Sequence, residues 1–379
     1  MAPHVSPPSP PLSSSASSVA SDDGEVYDIN VPYKKSGNFT KQPATPYPEY
    51  LPAWEEVSFP PIQPFTYDDP ALRADPKKRA LLTPSVTATD ISPKMGTELQ
   101  GVQLSTLTSQ QRDELALLIS ERKVVVLRDQ DFADIGPEAQ QNFSDYFGKR
   151  HYQPVTGAIP GYPGFHIIYR DGNQAEIERF FEQKSTANIW HHDVSYERQP
   201  PGYVLLCMLQ CPEVGGDTVV ASMTEAYKRL SPGFREMLDG LKATHSSQRI
   251  CDFARNNGGL CRKDPVKSLH PIVRVHPVTG EKSLFVNDEW ITGIQGWKQS
   301  ETEWLLKYLM DHISRGHDFQ VRLQWKPRTV VMFDNRSTCH TATVDYDGVY
   351  EKERHMFRLA SMCEKPICVG DIEEPESQE

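Results

Sequence analysis

The sequence predicts a mainly β protein with flanking helices, arranged as a double-stranded β-helix (jelly roll). Three observations predict it. Short apolar or alternating runs recur along the chain, as at Lys123–Arg128, Tyr203–Leu209 and Thr329–Phe333. Helical patterns are few and do not alternate regularly with these runs, which argues against a doubly wound parallel sheet. No internal repeat is found, so the strands suit two packed sheets with helices outside.

The elements follow in order. Residues 1–45 form a Pro/Ser-rich tail: Pro3 to Ser18 is almost all Pro, Ser and Ala, and Asp22, Asp23 and Glu25 follow. Such a segment cannot bury enough apolar surface to offset its ordering entropy. Residues 46–84 form an extended proline-rich arm carrying Tyr47, Tyr50, Trp54, Phe59, Phe65 and Tyr67. It either lies on the domain through these aromatics or is a linker that does not dock. The main domain is expected over residues 85–370, and residues 371–379 form an acidic tail.

Within the domain, Leu115, Leu118 and Ile119 have helical spacing in Thr108–Arg122, and Val124–Leu127 reads as a buried strand. Pro137 opens a helix with Phe143 and Phe147, and Gly148 fits its end. Ser231-Pro232 opens another, with Phe234, Met237 and Leu238 on one face. Ser300 with Glu303 forms a capping-box pattern before Leu305, Leu306, Leu309 and Ile313, and Gly316 stops that helix. Ser283–Val286, the alternating Phe319–Trp325 and Met356–Met362 read as further strands.

Composition removes several function classes. The net charge of -11 argues against nucleic-acid binding, which needs a basic face. No apolar run approaches the ~18 residues of a membrane span. Met1–Ser6 lacks the positive segment and apolar core of a secretory signal. Seven scattered cysteines, an odd number, favour reduced thiols and a cytoplasmic location. Cys207 and Cys211 lack a second close pair to complete a zinc site and read as small buried strand residues.

The chemistry centres on Trp190–Tyr196. On a strand, His191 and Asp193 would point to one side and His192 to the other. One imidazole and one carboxylate make two thirds of a facial triad. His340, after the run Thr329–Phe333 and the turn Asp334-Asn335-Arg336, is the candidate second imidazole. Two histidines and a carboxylate with open positions suit non-haem Fe(II) and oxygen. His-x-Asp alone is a weak signal, because a histidine is more often a satisfied polar residue. Gly215-Gly216-Asp217-Thr218, taken alone, is a hairpin turn. Arg354 and Arg358 share one side of a strand and are either exposed or clamps for carboxylate or sulfonate.

Taken together and in order, these motifs, with Leu269–Arg274, His276–Gly280 and Leu284–Asn287, resemble the Fe(II)/2-oxoglutarate-dependent taurine dioxygenase family. The match covers roughly residues 85 to 365. The insertion between Tyr162 and Ile189 and the long arm resemble the fungal sulfonate dioxygenase branch. The resemblance implies Fe(II) on His191, Asp193 and His340, and 2-oxoglutarate as cosubstrate. Arg354 would clamp its distal carboxylate with help from the Thr218 hydroxyl. Arg358 would face the anionic group of a small-molecule substrate, while His192, Asn335 and Arg336 would give structural support. It further implies O2 as a reactant, a homo-oligomer, and hydroxylation with succinate and CO2 formed. A sulfonated carbon would then collapse to aldehyde and sulfite. Because Asp193 is present, where a halogenating relative would have a small residue, a hydroxylase is implied.

One departure bears on the substrate. Where the taurine enzymes carry a histidine just before Pro-Val, this chain has Gln153, and Thr156 stands in place of a tyrosine. Gln donates a neutral hydrogen bond but supplies no charge. His151, two residues earlier, could face the same side, and Trp290 would shape the pocket wall. Taurine itself is therefore not expected. A larger sulfonate, a sulfate ester or a carboxylate stay open. The alternatives are a hydroxylase or desaturase of a carboxylated or natural-product-like molecule, and a catalytically inactive binding protein. The intact set His191, Asp193, His340 and Arg354 argues against the last. A zinc hydrolase would need a partnered Glu, which is not seen.

Overall fold

The computed structural model describes residues 45–170, 189–346 and 353–371. The expected disordered tail before Thr45, the insertion over 171–188 and the acidic tail beyond Asp371 lie outside the described residues.

Six strands of the first half enter the main sheet: β1 (Thr87–Asp90), β2 (Thr97–Gln100), β3 (Val124–Leu127), β4 (Lys149–Arg150), β5 (His166–Arg170) and β6 (Pro201–Gln210). The strand β7 (Thr218–Ser222) follows. Next come β8 (Lys242–Ser246), β9 (Lys267–Pro271), β10 (Val273–Val275), β11 (Lys282–Leu284) and β12 (Ile291–Ile294). The last are β13 (Gln320–Leu323), β14 (Val330–Asp334), β15 (Thr338–Ala342), β16 (Arg354–Met362) and β17 (Ile367–Cys368). The main sheet runs β1-β2-β3-β14-β6-β16-β4, with β5 also paired to β16. A smaller sheet runs β13-β7-β15.

The two sheets close over one core. Val124, Val126, Leu206, Met208, Val331, Phe333 and Met356 of the main sheet meet Val220, Val321 and Leu323 of the smaller one. The period of two is visible on β7 and β15. Val220 lies in this core, whereas Ala221 and Cys339 pack outward with Leu305, Leu309 and Ile313 of the helix Gln299–Ser314. His340 sits one residue past Cys339 and opposite Val220, so the same alternation turns it inward. The other face of the main sheet is covered by the helices Ser109–Arg122 and Pro137–Asp145 through Leu115, Ile119 and Phe143. Strands buried on both faces read as continuous apolar runs, and β3, β6 and β14 do.

Local expectations need two corrections. The helix Gln299–Ser314 starts one residue before Ser300. Its box is closed by Glu301, whose carboxylate accepts from the Lys298 N–H at 2.8 Å. In Pro232–Asp239, Leu238 is buried but Met237 is 38% exposed, because that short helix covers the core with one edge only.

The arm is docked. Tyr50 is buried, and its hydroxyl donates toward the Gln140 side chain (3.0 Å) and the Ala133 carbonyl (3.2 Å). The Trp54 indole donates to Val155 O at 3.0 Å, and Phe59 stacks on Tyr152. Asp69 pairs with buried Arg336, which also holds Asp334 at 2.7 Å. This ties an arm residue to the turn that follows β14. Among the described residues no helix is long and apolar enough to cross a membrane.

Two buried histidines set a pH dependence. Burial pushes the imidazoles of His270 and His355 down to about 4. Unfolded, they take a proton near pH 6.5. The unfolded chain therefore binds more protons between these values, and stability present at pH 7 is lost as the pH falls through 6.5 toward 4. The expected slope is about 1.4 kcal/mol per pH unit for each proton. Urea midpoints at pH 7.5 and 5 measure it, and equal midpoints would contradict it.

Candidate active site

The site is assembled by main-chain pairing. His191 forms an isolated antiparallel bridge to His340 of β15, each N–H donating to the other's carbonyl at 3.0 Å. This sets the two rings side by side, with centroids 4.2 Å apart. Asp193 does not reach them by strand alternation, as the sequence led one to expect. The chain turns after His191, and Val194 sits at φ +41°. A β-branched residue there is strained, so the turn must be held. Asn335 holds it: its side chain accepts from Asp193 N at 2.7 Å and donates to Asp193 O at 3.0 Å.

One ligand atom from each of His191, Asp193 and His340 lies within 4.8 Å of the others. Nδ1 of His191 donates to the Ile189 carbonyl at 2.8 Å, which turns Nε2 toward Asp193 Oδ1 at 3.7 Å. Burial, then the nearby His191, pushes His340 down to about 3, so its ring is neutral. For Asp193, burial acts to raise the carboxyl pKa. The Arg358 guanidinium, together with the His340, His191 and His166 rings, outweighs it and holds the group below the usual carboxylate range. Asp193 Oδ2 is buried without a hydrogen-bond partner. Two imidazoles and a carboxylate with an unsatisfied oxygen fit Fe(II).

The cluster opens into a cavity of about 160 Å³. One water needs roughly 10–15 Å³ on this measure, so the space takes small molecules. Gln153, Thr218, Trp290, Arg354 and Arg358 line it with the three metal-ligand candidates. Arg354 is buried and donates through Nε to the Gly216 carbonyl at 3.2 Å. Gly215 and Gly216 sit at φ +85° and +67°, and a Cβ on Gly216 would stand 3.1 Å from the Tyr346 ring and 3.3 Å from Arg354. The Gly-Gly pair is thus the surface on which Arg354 lies as well as a turn. Arg358 contacts the Asp193 carboxylate directly. The Trp290 indole donates to the His192 carbonyl at 3.0 Å, and the His192 ring is buried against Phe285.

His151 does not belong to this set. Its Nε2 meets the Glu197 carboxylate at 3.0 Å, and Glu197 also holds Lys263. The imidazole is spent on a buried ion-pair cluster behind the cavity wall, because two residues along an irregular loop do not share a face as on a strand.

Sequence reasoning missed Trp325, His166, Ile168 and Arg170. The Trp325 indole donates to Thr218 Oγ1 at 3.0 Å, a bond that does not use the hydroxyl proton of this cavity-lining residue. Alternation in Phe319–Trp325 marked that tryptophan as inward but not what it touched. On β5, His166, Ile168 and Arg170 all line the cavity. Their period of two was the available signal. Trp325→Phe is expected to raise the KM for 2-oxoglutarate about fivefold, the effect of one hydrogen bond of roughly 1 kcal/mol. Steady-state kinetics at saturating substrate measure it, and an unchanged KM would mean that Thr218 does not need the indole.

Residues 87–360 match the model of the taurine catabolism dioxygenase TauD, TfdA family. The chain belongs to the TauD/TfdA family. This TauD/TfdA protein is 43% identical over 332 residues to an alpha-ketoglutarate-dependent dioxygenase, cnsM, of Penicillium expansum, covering 85% of this chain and 90% of that one. It is 38% identical over 326 residues to an alpha-ketoglutarate-dependent sulfonate dioxygenase of Saccharomyces cerevisiae, covering 85% and 79%. A solved taurine dioxygenase from Burkholderia xenovorans superposes with a TM-score of 0.62 at 28% identity, over 77% of this chain and 96% of that one. The TauD/TfdA protein is therefore an Fe(II)- and 2-oxoglutarate-dependent dioxygenase with the jelly-roll fold, acting with O2 on a small molecule.

Proposed function

We propose that this dioxygenase hydroxylates an organosulfonate at the carbon bearing sulfur, giving an aldehyde and sulfite while 2-oxoglutarate becomes succinate and CO2. The observation that carries the reading is the contact of Arg358 with Asp193 inside the cavity. It sets one cationic fork beside the metal-ligand cluster, where the head of a small anion would bring its adjoining carbon to the reacting position. The naming of two fungal relatives as sulfonate dioxygenases supports the same choice.

In this reading His191, Asp193 and His340 hold Fe(II), which supplies oxygen activation when bound. Arg354 and the Thr218 hydroxyl orient the distal carboxylate of 2-oxoglutarate. Arg358 passes from Asp193 to the substrate anion, so substrate entry frees a carboxylate oxygen beside the reacting carbon. Gln153 adds a neutral donor and Trp290 forms a wall. Met356, between the two arginines, keeps the floor apolar and excludes water. The hydroxylated carbon loses its hydroxyl proton as the carbon–sulfur bond breaks, and that electron pair leaves on sulfite. Residues 85–370 form the catalytic unit, braced by the arm. A homo-oligomer follows the family resemblance and is measured by light scattering. The seven free thiols fit a cytoplasmic setting.

The test supplies Fe(II), ascorbate, O2 and 2-oxoglutarate with sulfonates, sulfate esters and carboxylates in turn. Equal succinate and sulfite from a sulfonate is the expected result. Succinate without sulfite, driven by a carboxylate, would replace the substrate class and keep the chemistry.

A further inference from the structure

β5 and β16 run antiparallel, and three of their cross-strand pairs face the cavity: Arg354 opposite Arg170, Met356 opposite Ile168, and Arg358 opposite His166. Directly opposed residues keep their Cβ atoms about 4.5–5.5 Å apart. The Arg358 and His166 side chains therefore leave the sheet side by side and line the same cavity. Nδ1 of His166 is buried with no hydrogen-bond partner. The loop before Pro154 offers the cavity the neutral amide of Gln153, and His151 is held by Glu197. His166 is thus the cavity histidine outside the triad, and it stands beside the cation that faces the substrate.

We propose that His166 is a substrate-binding residue, donating a ring N–H to the anionic head of the substrate that Arg358 engages. Burial, then the Arg358 charge, holds the His166 ring neutral. One guanidinium balances a monoanion, and a neutral donor satisfies a second oxygen without leaving a surplus buried charge. The selected head group is accordingly a monoanion, sulfonate or carboxylate. The choice of sulfonate rests on the function proposed above.

The experiment uses the full chain with iron and 2-oxoglutarate, and butanesulfonate and hexanoate as probes. Wild type, His166→Leu and His166→Gln are compared by KM for each probe, by KM for 2-oxoglutarate, and by anaerobic probe binding followed through tryptophan fluorescence. His166→Leu is expected to weaken the accepted probe roughly 10- to 100-fold, the loss of one hydrogen bond to a charged group. 2-Oxoglutarate KM should stay unchanged, and His166→Gln should recover most of the loss. An unchanged probe KM in His166→Leu overturns the proposal. So does a parallel rise in 2-oxoglutarate KM, since Arg354 lies on the same strand and would report a distorted sheet. If wild type yields sulfite from no sulfonate but accepts hexanoate, the sulfonate reading fails and the same comparison on hexanoate decides His166. A wild-type cavity that binds neither anion overturns both.

Discussion

Asp193→Ala is expected to abolish 2-oxoglutarate turnover and to empty the metal site. The remaining ligand candidates, His191 and His340, are imidazoles, so removal of Asp193 takes away the only carboxylate of the cluster. Loss of groups that merely orient a ligand already costs about 10- to 100-fold in metal affinity, so loss of a ligand should exceed that. Arg358 would also lose its partner and leave a buried guanidinium facing the empty position. Metal content after desalting and succinate formation measure the result, with circular dichroism as the folding control. Undiminished turnover in a folded variant would sink the triad assignment.

Arg354→Ala should chiefly weaken 2-oxoglutarate. The guanidinium is buried, lies on Gly216 and shares its end of the cavity with Thr218. Removing one partner of a desolvated charge pair costs about 2–5 kcal/mol, which is roughly 30- to several-thousand-fold in affinity. The KM for the primary substrate should move far less. Equal losses for both would mean a collapsed cavity, and unchanged 2-oxoglutarate affinity would reject the role. If substrate alone suffers, Arg354 and Arg358 have exchanged parts.

Much of this site could be read without coordinates, and the reasons differ by residue. Val124–Leu127 and Val330–Asp334 announce themselves because both faces are buried and the apolar run is unbroken. The inward turn of His340 follows from alternation once β15 is known. The route by which Asp193 joins it does not, because the turn depends on Asn335, 142 residues away. The pairing of β5 with β16 is equally non-local, which is why His166 drew no role. Proline-rich composition disguised the arm: Tyr50 and Asp69 make buried contacts that no local pattern signals. The partner of Trp325 was hidden for the opposite reason, since periodicity reports which way a side chain faces but not what waits there.

The backbone bridge between His191 and His340 has a consequence for synthesis. The two residues it joins are separated by about 150 residues of chain. A ribosome that has just emitted the His-x-Asp segment has made at most a two-point ligand, and the third arrives only with β15, which pairs on β7. Contacts of such sequence separation form late. A chain that stops short of β15 therefore offers iron two ligand candidates at most, and a firm grip on a redox-active ion waits until nine tenths of the polypeptide has been made.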